Sequence, residues 1–221
     1  QAWRPSHPTR LYIPKPSGLQ RPISLLGLED QILLQAVANV FAKKLSSNRK
    51  QVELTTVFSN ILSEQPESIF FTKPWQESYN AFQQKCRELF GLGNQWVAHF
   101  DLAAYYDTIS HDMLLRIVSP RNKHPETWNH VKKWLETWSA SQPVSMTGHG
   151  IPQGPLASDF LAEAFFLPID LDLKKRGIMY VRYVDDIRLF GKTENDARRA
   201  GITLELLCRD RGLIPQGKKF A

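Results

Sequence analysis

Two adjacent aspartates, Asp185 and Asp186, lie between two short apolar segments in the C-terminal part of the chain. Neighbouring carboxylates repel each other, and their burial without a counter-charge is costly. A bound divalent cation resolves both problems, because hard cations prefer carboxylate oxygens. For such a pair alone, however, a polar hairpin tip exposed to water is the simpler explanation, so a metal site needs support from elsewhere in the chain.

A third carboxylate, Asp101, follows an apolar stretch that alternates as a strand does. In the predicted strand 95–101, Trp96 and Phe100 share one face and Asp101 lies on the other. If this strand and the segments around the aspartate pair belong to one sheet, the three carboxylates meet at its edge. They could then hold two metals about 3.5–4 Å apart, which stabilise the attacking and the leaving oxygen of a phosphoryl transfer. Taken alone, Asp101 has an alternative role as the cap of a following turn.

A glycine-rich segment is the third candidate for chemistry, with the sequence Gly148-His149-Gly150-Ile151-Pro152-Gln153-Gly154. Glycine permits positive φ and a close approach of the backbone to a ligand. The segment is not a P-loop, because no Lys-Ser/Thr follows Gly154, and it does not match the GxGxxG dinucleotide pattern. By itself it predicts a turn before a helix.

A mixed α+β scaffold is expected to position these candidates. The first 24 residues are rich in Pro, Arg and Lys and predict short strands or an extended arm. Helical periodicity and capping signals predict helices at 30–45, 75–89, from 111 after a Ser110 cap, at 125–139, and from the glycine-rich turn to about Phe166, with Pro168 near its end. Strands follow at 178–184 and 187–190, with the aspartate pair as the hairpin tip, and then a helix at 194–211. This order is close to a split β-α-β arrangement.

Composition narrows the possible functions less than the candidate motifs do. The 221 residues carry a net charge of +6 and are 42% hydrophobic, which suits a polyanionic partner but is common among globular proteins. Only two cysteines occur, Cys86 and Cys208, so a disulfide framework or zinc site is not expected and a reducing cytoplasm is. The apolar runs are too short to span a bilayer, and no membrane partner is expected. Because the chain starts at Gln1 without Met and stops abruptly at Ala221, we expect a piece of a longer protein.

Together, the candidate segments resemble the motifs of one enzyme family. Asp101 with aromatic residues at 105 and 106, then Gly150–Gly154, then Tyr183-Val184-Asp185-Asp186 are similar, in that order, to motifs A, B and C of reverse transcriptases. Three further segments are similar to the fingers motif of bacterial members, its continuation and motif D, namely 13–23, 30–37 and Gly212-Leu213 with Lys218-Lys219. The resemblance spans nearly the whole chain.

The resemblance implies a right-hand polymerase fold. Its parts are a ferredoxin-like palm with an antiparallel sheet and fingers of helical and extended segments, and the thumb is absent. Residues 1–221 would form a single catalytic core. The fingers would come mainly from 1–94 and 115–147, and the palm mainly from 95–114 and 148–221.

The resemblance also implies roles for individual residues. Two Mg²⁺ ions, or Mn²⁺, would be bound by Asp101, Asp185, Asp186 and the backbone carbonyl of Leu102. Tyr106 matches the steric gate that excludes a ribonucleotide 2′-hydroxyl, and Tyr105 is the less favoured candidate. Contacts with the nucleotide are implied for Lys15 and Arg21 at the triphosphate, for Gln153 and Gly154 beside the nucleotide and template, and for Lys219, or Lys218, at the pyrophosphate.

The implied function is RNA-directed DNA synthesis in the cytoplasm. The implied partners are an RNA template, a DNA or RNA primer, dNTPs, and a thumb or further C-terminal domain of the same protein. Val184 stands where group II intron and retron enzymes usually have Ala, and Ala103 stands where a Lys is frequent. These departures favour the unclassified or defence-associated bacterial groups. Three alternatives remain open: an untemplated or protein-primed DNA polymerase of an antiphage system, an RNA-dependent RNA polymerase, and a catalytically silent RNA-binding scaffold.

Overall fold

The fold of the chain is given by a computed structural model that describes residues 3–15, 18–63, 71–121, 124–140 and 147–220, with residues 217–220 described by their backbone only. In chain order the elements are β1 (Thr9–Pro14), β2 (Gln20–Leu25), α1 (Leu28–Arg49), α2 (Trp75–Gly91), β3 (Trp96–Leu102), α3 (Tyr105–Thr108), α4 (His111–Val118), α5 (Pro125–Ser139), α6 (Leu156–Lys175), β4 (Tyr180–Tyr183), β5 (Asp186–Gly191), α7 (Glu194–Arg209) and β6 (Pro215–Phe220). Among the described residues, no helix has the length and apolarity needed to cross a membrane.

The chain divides into two compact units, each built from two separate stretches of sequence. The first unit comprises Gln1–Lys44 and Tyr106–Phe165, and the second comprises Leu45–Tyr105 and Phe166–Ala221. The division into fingers and palm implied by the sequence follows different boundaries and stays a prediction.

A four-stranded sheet is the main feature of the second unit. Its strand order is β4-β5-β3-β6, and all neighbouring strands are antiparallel. In the chain, β3 is followed by helices, then by the β4–β5 hairpin, then by α7 and β6. This order is the ferredoxin-like arrangement. The predicted α+β class with an antiparallel sheet is therefore confirmed.

The two faces of this sheet are covered by different helices. In the β3–β5 pairing, His99 lies opposite Arg188 on one face and Phe100 lies opposite Ile187 on the other. On the other face, a Cβ added to Gly201 of α7 would meet the Phe100 ring at 2.9 Å, so the absence of a side chain lets α7 approach closely. The face that carries His99 is closed by a buried apolar cluster that includes two residues of α2, and its members are Phe58, Phe82, Leu89, Val181 and Phe190.

Helix α6 is longer than the sequence predicts. The predicted end near Phe166 is wrong, because α6 continues through Pro168 to Lys175. Proline removes a backbone donor and disfavours the interior of a helix. The residues beyond it, Ile169 and Leu173, are almost fully buried. Burial of their apolar side chains offsets the missing hydrogen bond, so tertiary packing decides the length of the helix.

The first unit combines a β-hairpin with helices. Strands β1 and β2 pair antiparallel from Thr9–Leu25 to Pro14–Gln20, which confirms the predicted short strands near the N-terminus. Ser110 caps α4 as predicted, since its side chain accepts from the backbone N–H of Met113. Apolar residues from three helices fill the core of this unit, namely Leu34, Phe41, Leu114, Leu135 and Trp138.

Candidate active site

The β4–β5 hairpin places the aspartate pair at a tight turn. Tyr183 of β4 pairs with Asp186 of β5, so Val184 and Asp185 form the two-residue tip. The predicted tip of Asp185 and Asp186 is therefore wrong by one position, because Asp186 takes part in strand pairing. Both aspartates are partly buried.

The tip contains an unfavourable backbone conformation at Val184. Its φ of +54° lies in the left-handed region, which β-branched residues rarely adopt. Two hydrogen bonds hold this residue. The Val184 N–H donates to Ser59 Oγ at 2.8 Å, and its carbonyl accepts from Arg182 Nη1 at 2.9 Å. Such a conformation persists only where the surroundings fix it, so Ser59 and Arg182 fix the backbone that carries Asp185.

Arg182 belongs to a buried ion pair next to the hairpin. Its Nε and Nη2 donate to Asp170 Oδ1 and Oδ2 at 3.1 and 2.7 Å, and both side chains are only 1% exposed. The Tyr180 hydroxyl also donates to Asp170 Oδ1 at 3.0 Å, and burial raises the pKa of Tyr180, which keeps the hydroxyl protonated. The guanidinium carbon lies 4.5 Å from the centroid of the Phe166 ring. The buried charges are therefore paired and hydrogen-bonded, which is the condition for their stability in a protein interior.

Strand β3 brings Asp101 to the same edge of the sheet as the hairpin tip. The β3–β5 pairing extends to Phe100 opposite Ile187. When this register is continued by one residue, Asp101 lies opposite Asp186, and residues directly opposite each other share a face with Cβ atoms about 4.5–5.5 Å apart. Leu102 follows as the last residue of β3 and is buried. In the second unit, Asp101 thus lies near the end of β3, Asp186 begins the neighbouring strand β5, and Asp185 lies in the turn between β4 and β5.

The oxygen ligands at this edge suit a hard divalent cation such as Mg²⁺. Within the part of the chain that the structure describes, however, no group of three His, Cys, Asp or Glu side chains converges closely enough to hold a metal. Asp186 instead accepts a hydrogen bond from Arg188 Nη2 at 3.0 Å, in an ion pair whose side chains are 38% and 18% exposed. The two-ion site stays a prediction.

In the first unit, Tyr106 is fixed by contacts at both its side chain and its backbone. Its hydroxyl donates to Asp159 Oδ1 at 2.6 Å, and its carbonyl accepts from the backbone N–H of Ile151 at 2.9 Å. Ile151 belongs to the glycine-rich segment, and Asp159 lies in the first turn of α6. The predicted gate residue is therefore held by the segment that resembles motif B and by the helix after it.

Asp159 is a residue that the sequence reasoning missed. Burial raises the pKa of its carboxyl to about 6, the hydrogen bond from Tyr106 acts in the opposite direction, and the negative charge of Glu163 adds to the rise. Glu163 itself is only 1% exposed. The available signal was the spacing of these two acids by one helical turn, directly after the glycine-rich segment, in a helix that is otherwise largely apolar.

The turn that carries Gln153 and Gly154 lies against strand β2. The Ser24 N–H donates to the Gln153 carbonyl at 2.7 Å. Gly154 has a φ of +128°, and a Cβ at this position would lie 3.0 Å from Cγ2 of Ile23. The backbone conformation favours glycine, and a Cβ here would require the Ile23 side chain to shift. The two residues are thereby placed beside the β1–β2 hairpin, and their contacts with a nucleotide stay predictions.

The remaining residues for which a contact with the nucleotide is predicted are basic. Arg21 in β2 is exposed, as is Lys15, which directly follows β1. Two exposed cations on one hairpin provide positive charge for a phosphate group. The backbone of Lys219 pairs with His99 in the β3–β6 ladder, whereas the side chains of Lys218 and Lys219 lie outside the described residues. The roles of these cations stay predictions.

Comparison with known proteins identifies the family. A profile described as reverse transcriptase (RNA-dependent DNA polymerase) matches residues 13–221. The chain belongs to the reverse transcriptase family. The matched range includes every residue to which the sequence resemblance assigns a role, from Lys15 to Lys219.

Three proteins that this reverse transcriptase chain resembles share little sequence identity with it. Protein YkfC of Escherichia coli (strain K12) is 23% identical over 185 residues, which are 79% of the chain and 42% of the E. coli protein. Apo telomerase from Candida tropicalis has a TM-score of 0.64 at 11% identity, with 98% of the chain and 44% of the telomerase covered. Telomerase from Candida albicans in complex with a TWJ fragment of telomeric RNA has a TM-score of 0.61 at 15% identity, with 99% and 43% covered.

These similarities confirm the predicted right-hand polymerase fold. At such low identity they concern the fold alone. The chain spans less than half of the length of each of these relatives.

Proposed function

We propose that the chain is the catalytic core of an RNA-directed DNA polymerase, which adds deoxynucleotides to a primer 3′-hydroxyl by two-metal nucleotidyl transfer. The observation that carries this proposal is the arrangement of carboxylates at one edge of the second unit's sheet. Asp101 lies near the end of β3, Asp186 begins the neighbouring strand β5, and Asp185 lies in the adjoining turn. Membership of the reverse transcriptase family supports this reading of the three carboxylates.

The carboxylates of Asp101, Asp185 and Asp186, with the backbone carbonyl of Leu102, would bind Mg²⁺ or Mn²⁺. When bound, a pair of such ions activates the attacking 3′-hydroxyl and neutralises charge on the transferred phosphate. The protein supplies position and charge, which phosphoryl transfer needs more than a general acid or base. The hydrogen bond from the Val184 N–H to its buried acceptor would keep Asp185 in place during this step.

One aromatic and several basic side chains would select and bind the nucleotide. The Tyr106 ring would exclude the 2′-hydroxyl of a ribonucleotide, and Arg21 with Lys15 would bind the triphosphate. Arginine suits this role because its planar fork pairs with two phosphate oxygens at once. The Gln153-Gly154 turn would approach the nucleotide and the template with its backbone. Lys219 would neutralise the leaving pyrophosphate.

The proposed partners are an RNA template and a DNA or RNA primer. The net charge of +6 favours binding to a polyanion. The Candida albicans telomerase that shares the fold is in complex with a fragment of telomeric RNA, which agrees with an RNA-binding role for this fold. A thumb or another domain of the full-length protein would add contacts with the duplex.

Primer extension by the full-length protein tests the proposed function. The assay contains a defined RNA template, a DNA primer and Mg²⁺, and compares dNTPs with NTPs in the presence and absence of template. The matched variant is Asp185→Ala/Asp186→Ala. We expect DNA whose sequence is dictated by the template, little product from NTPs, and no product with the variant.

Other outcomes would replace the proposal by a specific alternative. DNA made without regard to the template would indicate an untemplated or protein-primed polymerase of the antiphage type. Efficient use of NTPs would indicate an RNA-dependent RNA polymerase. Failure to extend any primer by a folded protein that binds RNA would indicate a catalytically silent scaffold.

A further inference from the structure

A short hydrogen bond joins the predicted gate tyrosine to a carboxylate far away in the sequence. Tyr106 Oη lies 2.6 Å from Asp159 Oδ1, and the two residues are separated by 53 positions. Bonds from a hydroxyl to an ionised carboxylate are typically this short and are stronger than bonds between neutral groups. Both residues belong to the first unit.

The bond lies in a partly buried environment. Asp159 is itself partly buried, and its neighbours in α6, Ser158 and Phe160, are fully buried. Burial is the main cause of the raised pKa of about 6 of the Asp159 carboxyl. At neutral pH the carboxylate therefore predominates, with the phenol hydroxyl as a hydrogen-bond donor. Loss of this donor would remove a hydrogen bond from a partly buried carboxylate whose pKa is also raised by the negative charge of Glu163.

The bond also limits how the ring can move. A tyrosine side chain has two main torsions, χ1 and χ2, and a bond at the far end of the ring restricts both. The backbone of Tyr106 is held separately, by the Ile151 N–H at 2.9 Å. Because the hydroxyl and the backbone of Tyr106 are both held by hydrogen bonds, the ring resists displacement by a neighbouring group such as a 2′-hydroxyl.

We propose that Asp159 is a specificity-determining residue, which positions the Tyr106 ring so that it excludes the 2′-hydroxyl of an incoming ribonucleotide. This inference rests on the proposed function, in which Tyr106 is the gate. Asp159 acts through the tyrosine and has no need to touch the nucleotide. If the Tyr106 ring could move aside, NTPs would be incorporated more readily. Incorporation of dNTPs, which lack the 2′-hydroxyl, would not change.

The test is single-nucleotide incorporation by the full-length protein on an RNA template, with a dNTP and the matching NTP measured separately. The selectivity is the ratio of their kcat/KM values. The variants are Asp159→Asn, Tyr106→Phe and the double variant, with Tyr106→Ala to open the gate fully. Asp172→Asn is the control, because it makes the same change at a more exposed position of α6.

Asp159→Asn keeps an acceptor oxygen but removes its charge, so it replaces a charge-assisted hydrogen bond by a weaker neutral one and should lower the selectivity a few-fold. Tyr106→Phe removes the donor and with it the whole bond, and should lower the selectivity by about tenfold or more. The double variant should lose no more than Tyr106→Phe alone, because both changes act on one interaction. Tyr106→Ala should lose more, and Asp172→Asn should leave the ratio unchanged.

A general structural role for Asp159 would lower the rates with dNTP and NTP together and leave their ratio intact, which would overturn the inference. The inference also fails if the effects of Asp159→Asn and Tyr106→Phe multiply in the double variant. If Asp159→Asn does not fold, Tyr106→Phe still decides, because an unchanged ratio shows that the bond has no part in selection. Failure of the proposed function looks different: the wild type then makes no DNA, or Tyr106→Ala leaves the selectivity unchanged.

Discussion

Replacement of Asp170 by Asn is expected to destabilise the protein far more than the same replacement at Asp172 on the same helix. Asp170 accepts hydrogen bonds from two nitrogens of Arg182 and from the Tyr180 hydroxyl, and both members of the ion pair are 1% exposed. Asn keeps one carbonyl oxygen but points an amide donor at a guanidinium donor. Because removal of one partner leaves a buried charge without a counter-charge, the expected loss of unfolding free energy is roughly 3–5 kcal/mol.

The control variant separates burial from the chemical change. Asp172 pairs with Arg176 on the surface, where the two side chains are 31% and 55% exposed. Exposed pairs one helical turn apart contribute roughly 0.3–0.5 kcal/mol, so Asp172→Asn should have little effect. A combined Asp170→Leu/Arg182→Met variant removes both charges and should recover part of the stability, because neither charge then needs desolvation.

Urea unfolding of the full-length protein, followed by circular dichroism, measures these differences. The midpoint should fall strongly for Asp170→Asn, with an unchanged denaturant dependence, and should hardly move for Asp172→Asn. Primer extension should also weaken in Asp170→Asn, since Arg182 holds the carbonyl of Val184 at the hairpin tip. A loss below about 1 kcal/mol, the value of an ordinary hydrogen bond, would refute the description of this pair as buried and mutually dependent.

Three further predictions concern single residues. Burial lowers the pKa of His111 to about 4, so the unfolding free energy should fall by about 3 kcal/mol between pH 6.5 and 4, where the unfolded chain binds a proton that the folded chain does not. In urea titrations across this range, His111→Gln should show a shallower slope than wild type. Ser59→Ala removes the acceptor of the Val184 N–H and should lower kcat in primer extension about tenfold. Ser59→Thr keeps a hydroxyl and should retain more activity. A kcat of Ser59→Ala equal to that of the wild type would contradict this prediction. Gly154→Ala should cost roughly 1–3 kcal/mol in thermal unfolding. This loss should exceed that of Gly148→Ala, whose added Cβ meets no atom within 4 Å.

Features that depend on local physics were predictable from the sequence. The alternation of β3 was predicted correctly at His99 and Phe100, which lie on opposite faces of the sheet. Ser110 was recognised as a cap because its side chain bonds within the same turn. Where local preference and packing disagree, the prediction was wrong. The helix through Pro168 is an example, because burial of the residues around it outweighs the missing donor. The hairpin tip is another, since the left-handed Val184 depends on Ser59, which lies 125 positions away.

The candidate site also contains residues that the sequence predicted and residues that it did not. The chemistry-bearing aspartates and the gate tyrosine were singled out by residue type, spacing and family resemblance. The groups that fix them were not, because their partners are distant in sequence and follow no periodic pattern. Asp159 reaches Tyr106 across 53 positions, and its helix was predicted without any reason to expect this contact. The ion pair of Asp186 with Arg188 was missed for another reason: residues alternating along a strand give no sign of whether their charges pair with each other or with a ligand.

The measurement that tests the central claim most directly is single-turnover incorporation of one templated deoxynucleotide. The full-length wild type is compared with Asp185→Asn and with the Asp172→Asn control, at saturating Mg²⁺ and primer–template. If Asp185 binds a catalytic metal, its replacement should slow incorporation by about a thousandfold or more while primer–template affinity stays the same. Incorporation by Asp185→Asn at a rate close to that of the control would contradict the claim that Asp101, Asp185 and Asp186 form the catalytic centre.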